Sequence, residues 1–181
     1  MAWVAKFAPG GQTLQYSTLL PGSGQNTIVN AFAVDPAGDA VLGGGTESPD
    51  LALVHPLSCC SVTSTASNGE GFATELDPSG SSLVFSSYLS PGTNQVWALG
   101  FDTSQNLYVS GQANPTSTAG SAFPSLLPVQ PCHENSGNAF AMKILPASGT
   151  LAYATCLGGS TGGDQAVGLA VDAANNLYLH R

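Results

Sequence analysis

One segment occurs three times in this chain, and that recurrence constrains the fold more than any other feature. FAMKILPASGTLAYATCLGG (Phe140–Gly159) has earlier copies opening at Trp3 (WVAKFAPGG) and Phe72 (FATELDPSG), so the copies begin 69 and 68 residues apart. A fixed period of this size marks a repeat architecture, in which each unit is one supersecondary piece that buries its apolar face against the next.

Each unit holds two hairpin-like pieces. In the opening piece, short apolar runs such as Trp3–Phe7 and Leu14–Leu20 flank a turn at Ala8–Gly11, matched by Asp77–Gly80 and Pro146–Gly149. Proline presets φ near −65° early in such turns and glycine accepts a positive φ late in them. The flanking residues alternate in part (Leu83, Phe85, Ser87, Leu89), as strands require. The second piece is AFAVDPAGDAVLG from Ala31, returning from Ala98 and Gly168 with its aspartate at Asp35, Asp102 and Asp172. It reads as strand, Asp-initiated turn, strand, because an Asp carboxylate accepts backbone N–H bonds two residues on and closes the turn locally.

Two kinds of connection separate these pieces. Short Gly-rich ones follow the opening piece (Pro21–Gly24, Pro91–Thr93, Gly158–Gly163). Long ones span 46–71 and 112–139, and they match each other at an offset of 72, Leu51…His55-Pro-Leu57…Cys60 against Phe123…Leu127-Pro-Val129…Cys132. They are read as ordered loops packed on one rim by Leu53, Val54, Phe123 and Leu126. No helix-period stretch occurs. Four strands per unit of about 70 residues suggest an all-β, β-propeller-like array of four-stranded antiparallel blades. The units run 1–45, 72–111 and 140–181, about three blades' worth of strands and part of a larger propeller.

Composition narrows the function classes. Charged residues make up 8% of the 181 residues, against roughly 25% in ordinary soluble domains. Eleven acids face three bases, Lys6, Lys143 and Arg181. A basic stripe for nucleic acid cannot be assembled from these, and an anionic membrane surface repels the chain. No apolar run reaches the roughly 20 residues of a membrane span, and Met1–Lys6 enters the first repeat at once with no signal-peptide pattern in this segment. Both ends cut into repeats, which is expected of a fragment of a longer reading frame.

The repeat resembles the bacterial β-propeller repeat family called SBBP. Its units read FVAKLxPxGxxLxYSTYLGG, then GIAVDxxGNAYVTG and a Phe-Pro-Thr loop. The counterparts here are Phe140–Lys143, Tyr153–Gly159, Leu169–Asp172, Asn176–Tyr178 and Phe123-Pro124. The resemblance implies a propeller in a large secreted or surface-attached bacterial protein, extracellular or at the cell surface, with no general active-site motif. It departs from the pattern at Glu75 (for Lys), Leu19 and Cys156 (for Tyr), and Gln105 and Asn175 (for Gly), read as drift at surface and turn positions. By analogy with other propellers, the Asp-bearing strand is innermost and lines the channel, and the opening piece supplies the outer two strands. The terminal halves then add up to one further blade. Three blades are too few for the usual ring of four to eight, so further blades or a second copy are needed to close it.

Candidate chemistry is sparse. Cys59, Cys60, Cys132 and Cys156 contain no Cys-x-x-Cys pair, so no zinc site, metal or cofactor is assigned. A Cys132–Cys156 disulfide is expected in an oxidising compartment; Cys59 and Cys60 stand as a vicinal disulfide or as free thiols. Asp35, Asp102 and Asp172 are read as turn-closing, channel-facing residues, with a calcium or ligand ring as the alternative. Gly158–Gly163 lacks the Lys-Ser/Thr ending of a phosphate loop. Trp3, Trp97, Tyr16 and Tyr108 are read as core, with sugar stacking as the alternative. His55, His133 and His180 do not recur in register, and no Cys–His nucleophile pair is indicated. The expectation is a non-enzymatic interaction or adhesion scaffold with a protein or glycan partner, ahead of a carbohydrate-binding propeller and a propeller hydrolase or lyase.

Overall fold

The computed structural model describes residues 2–20, 26–60, 69–90, 93–115 and 123–181. The short connections at Pro21–Gly24 and Pro91-Gly92, and parts of both long loops, lie outside the described residues. The described chain is all-β apart from a single 3-10 turn at Pro146–Ser148.

Twelve strands follow in order. β1 (Trp3–Phe7) and β2 (Leu14–Leu19) form a hairpin. β3 (Thr27–Val34), β4 (Ala40–Thr46), β5 (Glu70–Leu76) and β6 (Leu83–Ser90) form a four-stranded antiparallel sheet in sequence order. β7 (Thr93–Phe101), β8 (Leu107–Ala113), β9 (Asn138–Leu145) and β10 (Thr150–Leu157) form a second. β11 (Gly168–Val171) and β12 (Leu177–His180) close the chain as a hairpin. Each sheet thus joins an Asp hairpin to the next opening piece across a long loop. The chain begins with an opening-piece hairpin and ends with an Asp hairpin.

The sheets stack because their strands are apolar on both faces. Successive strand residues point to opposite sides. Val41, Ala73, Phe85 and Leu89 face the second sheet, where they meet Val96, Leu107, Val109, Phe140 and Met142. Leu42, Phe72, Leu76 and Tyr88 face the other way, onto Ala2, Val4 and Leu20 of the first hairpin and its flanks. β7 crosses β3, β4 and β5, and β11 lies against β7. The approach is close enough that a Cβ on Gly43 would sit 2.8 Å from the Val96 side chain.

Both long loops are fastened to the outer strand of their sheet by the same bonds. Val54 and Ser86 exchange backbone hydrogen bonds, as do Leu126 and Ala154. Ser87 Oγ accepts from the Leu57 N–H at 3.0 Å, and Thr155 Oγ1 accepts from the Val129 N–H at 2.9 Å. The anchoring side chains are Leu51, Leu57 and Phe123, all buried. Leu53 and Leu126, expected among the anchors, are exposed, because the bridge turns them outward.

A further clamp differs between the units. In the first sheet, Tyr88 Oη donates to Ser48 O at 2.6 Å and accepts from the Leu51 N–H at 3.0 Å. The equivalent residue in the second is Cys156, joined by a disulfide to Cys132 of the loop. Cys59 and Cys60 form a vicinal disulfide. Closing the 24-residue separation between Cys132 and Cys156 restricts the unfolded chain by roughly 3 kcal/mol. Replacing both by alanine should lower the unfolding free energy by about that amount in urea melts, with little change when the vicinal pair is replaced instead.

Candidate functional site

The three Asp-closed turns, one from each of three successive sheets, come together around one cleft. In each, the aspartate N–H donates to the carbonyl four residues on (Asp39, Asn106, Asn176), and its Oδ1 accepts that residue's N–H at 2.8–2.9 Å. The third turn position is left-handed in every unit: Gly38, Gln105 and Asn175, with φ of 95°, 62° and 66°. Asparagine tolerates this region and glycine is free in it. Gln105 occupies it while its side-chain amide donates to Asp35 Oδ2 in the preceding unit at 2.9 Å. The turns are also joined by Tyr108, whose hydroxyl donates to Asn175 O at 3.3 Å.

Asp35, Asp102 and Asp172 line a single cleft of about 460 Å³ together with Ala33–Pro36, Gly100–Thr103 and Val171–Ala173. Their carboxylates are held largely by their own turns rather than pooled into one ligand set. The three strand ends β3, β7 and β11 supply its walls.

Below this shared plan the units diverge in charge. In the second sheet, Lys143 Nζ reaches Asp102 Oδ2 at 2.8 Å and lies 4.9 Å from the Tyr108 ring centroid. Asn106 Nδ2 donates to the same oxygen at 2.8 Å. Burial opposes ionisation of Asp102, but the bonds from Lys143, Asn106 and the Ser104 backbone outweigh it and hold the carboxyl well below its usual range. For Lys143 burial works against the charge, and the bonds to Asp102 and Tyr108 reverse this and raise its pKa.

In the first sheet the same three places carry Asp35, Asp39 and Glu75. One carboxylate oxygen from each lies within 4.8 Å of the other two. Glu75 is 4% exposed, so its reading as surface drift is corrected: β5 is an interior strand, and its Lys-to-Glu exchange takes place inside the stack. Glu75 Oε2 is buried without a hydrogen-bond partner. Burial first, then Asp39 and Asp35, push the Glu75 carboxyl up to about 7. Burial, Asp35 and Asp77 raise Asp39. The three basic side chains are engaged elsewhere: Lys143 on Asp102, Arg181 on Asp164 at 3.8 Å, and Lys6 on Pro78 O at 3.1 Å. Sequence reasoning passed over Asp39 and Glu75. The signal was present in the internal alignment, where Asn106 and Lys143 are both exchanged for acids.

The remaining candidates lie apart. Tyr108 is buried and Tyr16 half-buried, but Trp3 is 65% exposed, so its reading as core is corrected: it projects from the face of the first hairpin that no sheet among the described residues covers. Trp97 borders a second cleft, of about 420 Å³, with Asn26, Glu47, Gln95 and Gln112. Gly158–Gly163 leads from β10 towards another strand, and the Gly159 N–H donates to Asp164 Oδ2 at 2.8 Å. No family model matches this chain, and no curated protein matches it.

The two sheets should answer mutation in opposite ways. Lys143→Met strands a buried carboxylate and should cost about 3 kcal/mol in a denaturant melt at pH 7. Glu75→Gln should stabilise the fold at pH 8. A carboxyl whose pKa rises on folding adds stability below its unfolded value near 4.5 and loses it as pH climbs to about 7. The wild-type stability should therefore fall across that window, on the order of 2 kcal/mol after solvent screening, and the Glu75→Gln profile should be flatter.

Proposed function

We propose that this chain is a β-propeller segment of the SBBP repeat kind, working as a non-enzymatic interaction or adhesion scaffold outside the cell. The observation that carries the reading is the stacking order. Two sequence-ordered four-stranded sheets lie face to face, with β3, β7 and β11 bringing their Asp turns around a common cleft. Radial repetition of such sheets is how propellers protect their edges. Two disulfides and a surface poor in charge support an oxidising, extracellular setting.

The end hairpins support the need for further blades or a second copy. Trp3, Phe7, Leu14 and Leu19 are exposed on β1 and β2, and Tyr178 on β12. An uncovered sheet face of this kind is an interaction surface. Light scattering on the purified chain should give a mass at least twice the 18.2 kDa of one copy. A species that stays at the single-chain mass at high concentration counts against ring closure by a second copy.

A carbohydrate-binding reading draws on the Trp97 cleft, where an indole with an unpartnered buried Nε1 sits beside amide side chains. Aromatic faces with flanking amides suit sugar recognition. A glycan array distinguishes the two. A scaffold for protein partners gives no glycan hits, whereas hits abolished by Trp97→Ala would move the assignment to carbohydrate binding.

A further inference from the structure

We propose that Asp35, Asp39 and Glu75 form a calcium site that fastens the first sheet to the second. Three independent observations carry this. The first is geometric: the carboxylate oxygens lie within 4.8 Å of one another. Calcium takes oxygen ligands at about 2.3–2.6 Å, so a single ion between them contacts all three. Carboxylates that bind through both oxygens supply up to six of its six to eight ligands, and water supplies the rest.

The second is the state of Glu75. Its Oε2 is buried, has no hydrogen-bond partner and belongs to a residue 4% exposed. Buried polar atoms are almost always partnered, and the exceptions call for an unseen ion or water. Neither Asp35 nor Asp39 has a proton to donate to it when ionised, and Asp35 is already taken up by the Asp39 N–H and the Gln105 amide. No basic side chain among the described residues reaches it.

The third comes from the neighbouring repeat. There the same position holds a cation already: Lys143 Nζ, 2.8 Å from Asp102. With Glu75 in place of Lys and Asp39 in place of Asn, the formal charge of the fully ionised set goes from zero to −3 while the backbone plan is kept. The slot that an ammonium fills in the second sheet becomes, in the first, a slot with three anionic walls. Hard, oxygen-only and carboxylate-rich, it suits calcium rather than a softer transition metal. Magnesium keeps most of its waters and is a weaker fit.

Access and consequence follow from placement. The carboxylates open onto a cleft of about 250 Å³ between the sheets, bordered by Ser104, Gln105, Asn106 and the Pro146–Ser148 turn. Gln105 belongs to the second unit and already bonds Asp35. An ion on Asp35 therefore stiffens a contact between repeats, and the site does not depend on ring closure or on any partner.

The test is calcium titration of the chelator-treated, oxidised 181-residue chain by calorimetry, with thermal melts in parallel. One calcium per chain should bind with Kd between about 10⁻⁵ and 10⁻³ M. At a hundredfold excess over Kd the melting midpoint should rise by about 5–10 °C. Glu75→Gln should weaken binding at least tenfold. Glu75→Lys should abolish the calcium response while raising the midpoint of the calcium-free protein, because it restores the ammonium that the second sheet has. That variant separates loss of a calcium ligand from loss of the fold. No calcium binding up to about 10 mM, or binding unchanged in Glu75→Lys, overturns the proposal.

Discussion

Val41 and Leu42 are consecutive residues of β4, and both are fully buried. Neighbouring strand residues face opposite sides of a sheet, so the sheet that contains them must be covered on both. The same is true of Phe72 and Ala73 in β5. This double-sided burial governs the rest of the architecture. It makes every sheet need a neighbour on each side. It explains why Gly43 and Gly100 sit where the next unit's strand presses closest, against Val96 and Leu169. It also leaves an unfilled demand at each end of the stack, where Trp3 and Leu19 on one side and Tyr178 on the other remain exposed.

Stacking covers the faces but leaves the outer edges of the sheets open, and unpaired edges invite association. The long loops meet that need in both units. Each lays two backbone bonds along its outer strand and is held by a hydroxyl from a Ser or Thr at one repeat position, Ser87 or Thr155. The next residue adds a second fastening with different chemistry, a Tyr88 hydroxyl in one sheet and a Cys156 disulfide in the other. The exchange of Tyr for Cys is therefore a change of fastening at a fixed place. The loop position of Cys132 holds a cysteine in the first unit too, Cys60, but with Tyr88 in place of a partner it pairs with Cys59 instead.

The sheets were legible because their signals are local and repeated. Turn residues and a two-residue alternation recur three times, and the Asp turns align without gaps at Asp35, Asp102 and Asp172. The joining of each Asp hairpin to the following opening piece was also readable, since the long loops match each other. Burial of individual side chains was less so. Leu53 and Leu126 read as anchors by hydropathy, yet the direction of a loop side chain depends on a bridge to a strand more than 25 residues away. Trp3 reads as core from its repeat position, but a repeat position is core only when a neighbour covers it. Glu75 was the largest omission. A lone acid in place of a lysine reads as surface variation, and only the third dimension puts Asp39 and Asp35 beside it.

Charge is scarce in this chain, which gives each buried charge more weight. Opposite charges taken into a stack lose their hydration and recover it only through good partners. Asp102 has Lys143, Asn106 and its own turn amides, and it stays ionised. Glu75 has two further carboxylates, and it resists ionisation. A stack that needed only stability at this interface would be served as well by an apolar residue, as Val41 already replaces the Tyr108 of the next unit. Instead three acids are gathered at the one junction where Gln105 reaches back to the preceding unit. Drift explains a single exchange at an exposed site; two exchanges that bring a half-buried Asp39 and a buried Glu75 against Asp35 are what a cation between them would balance.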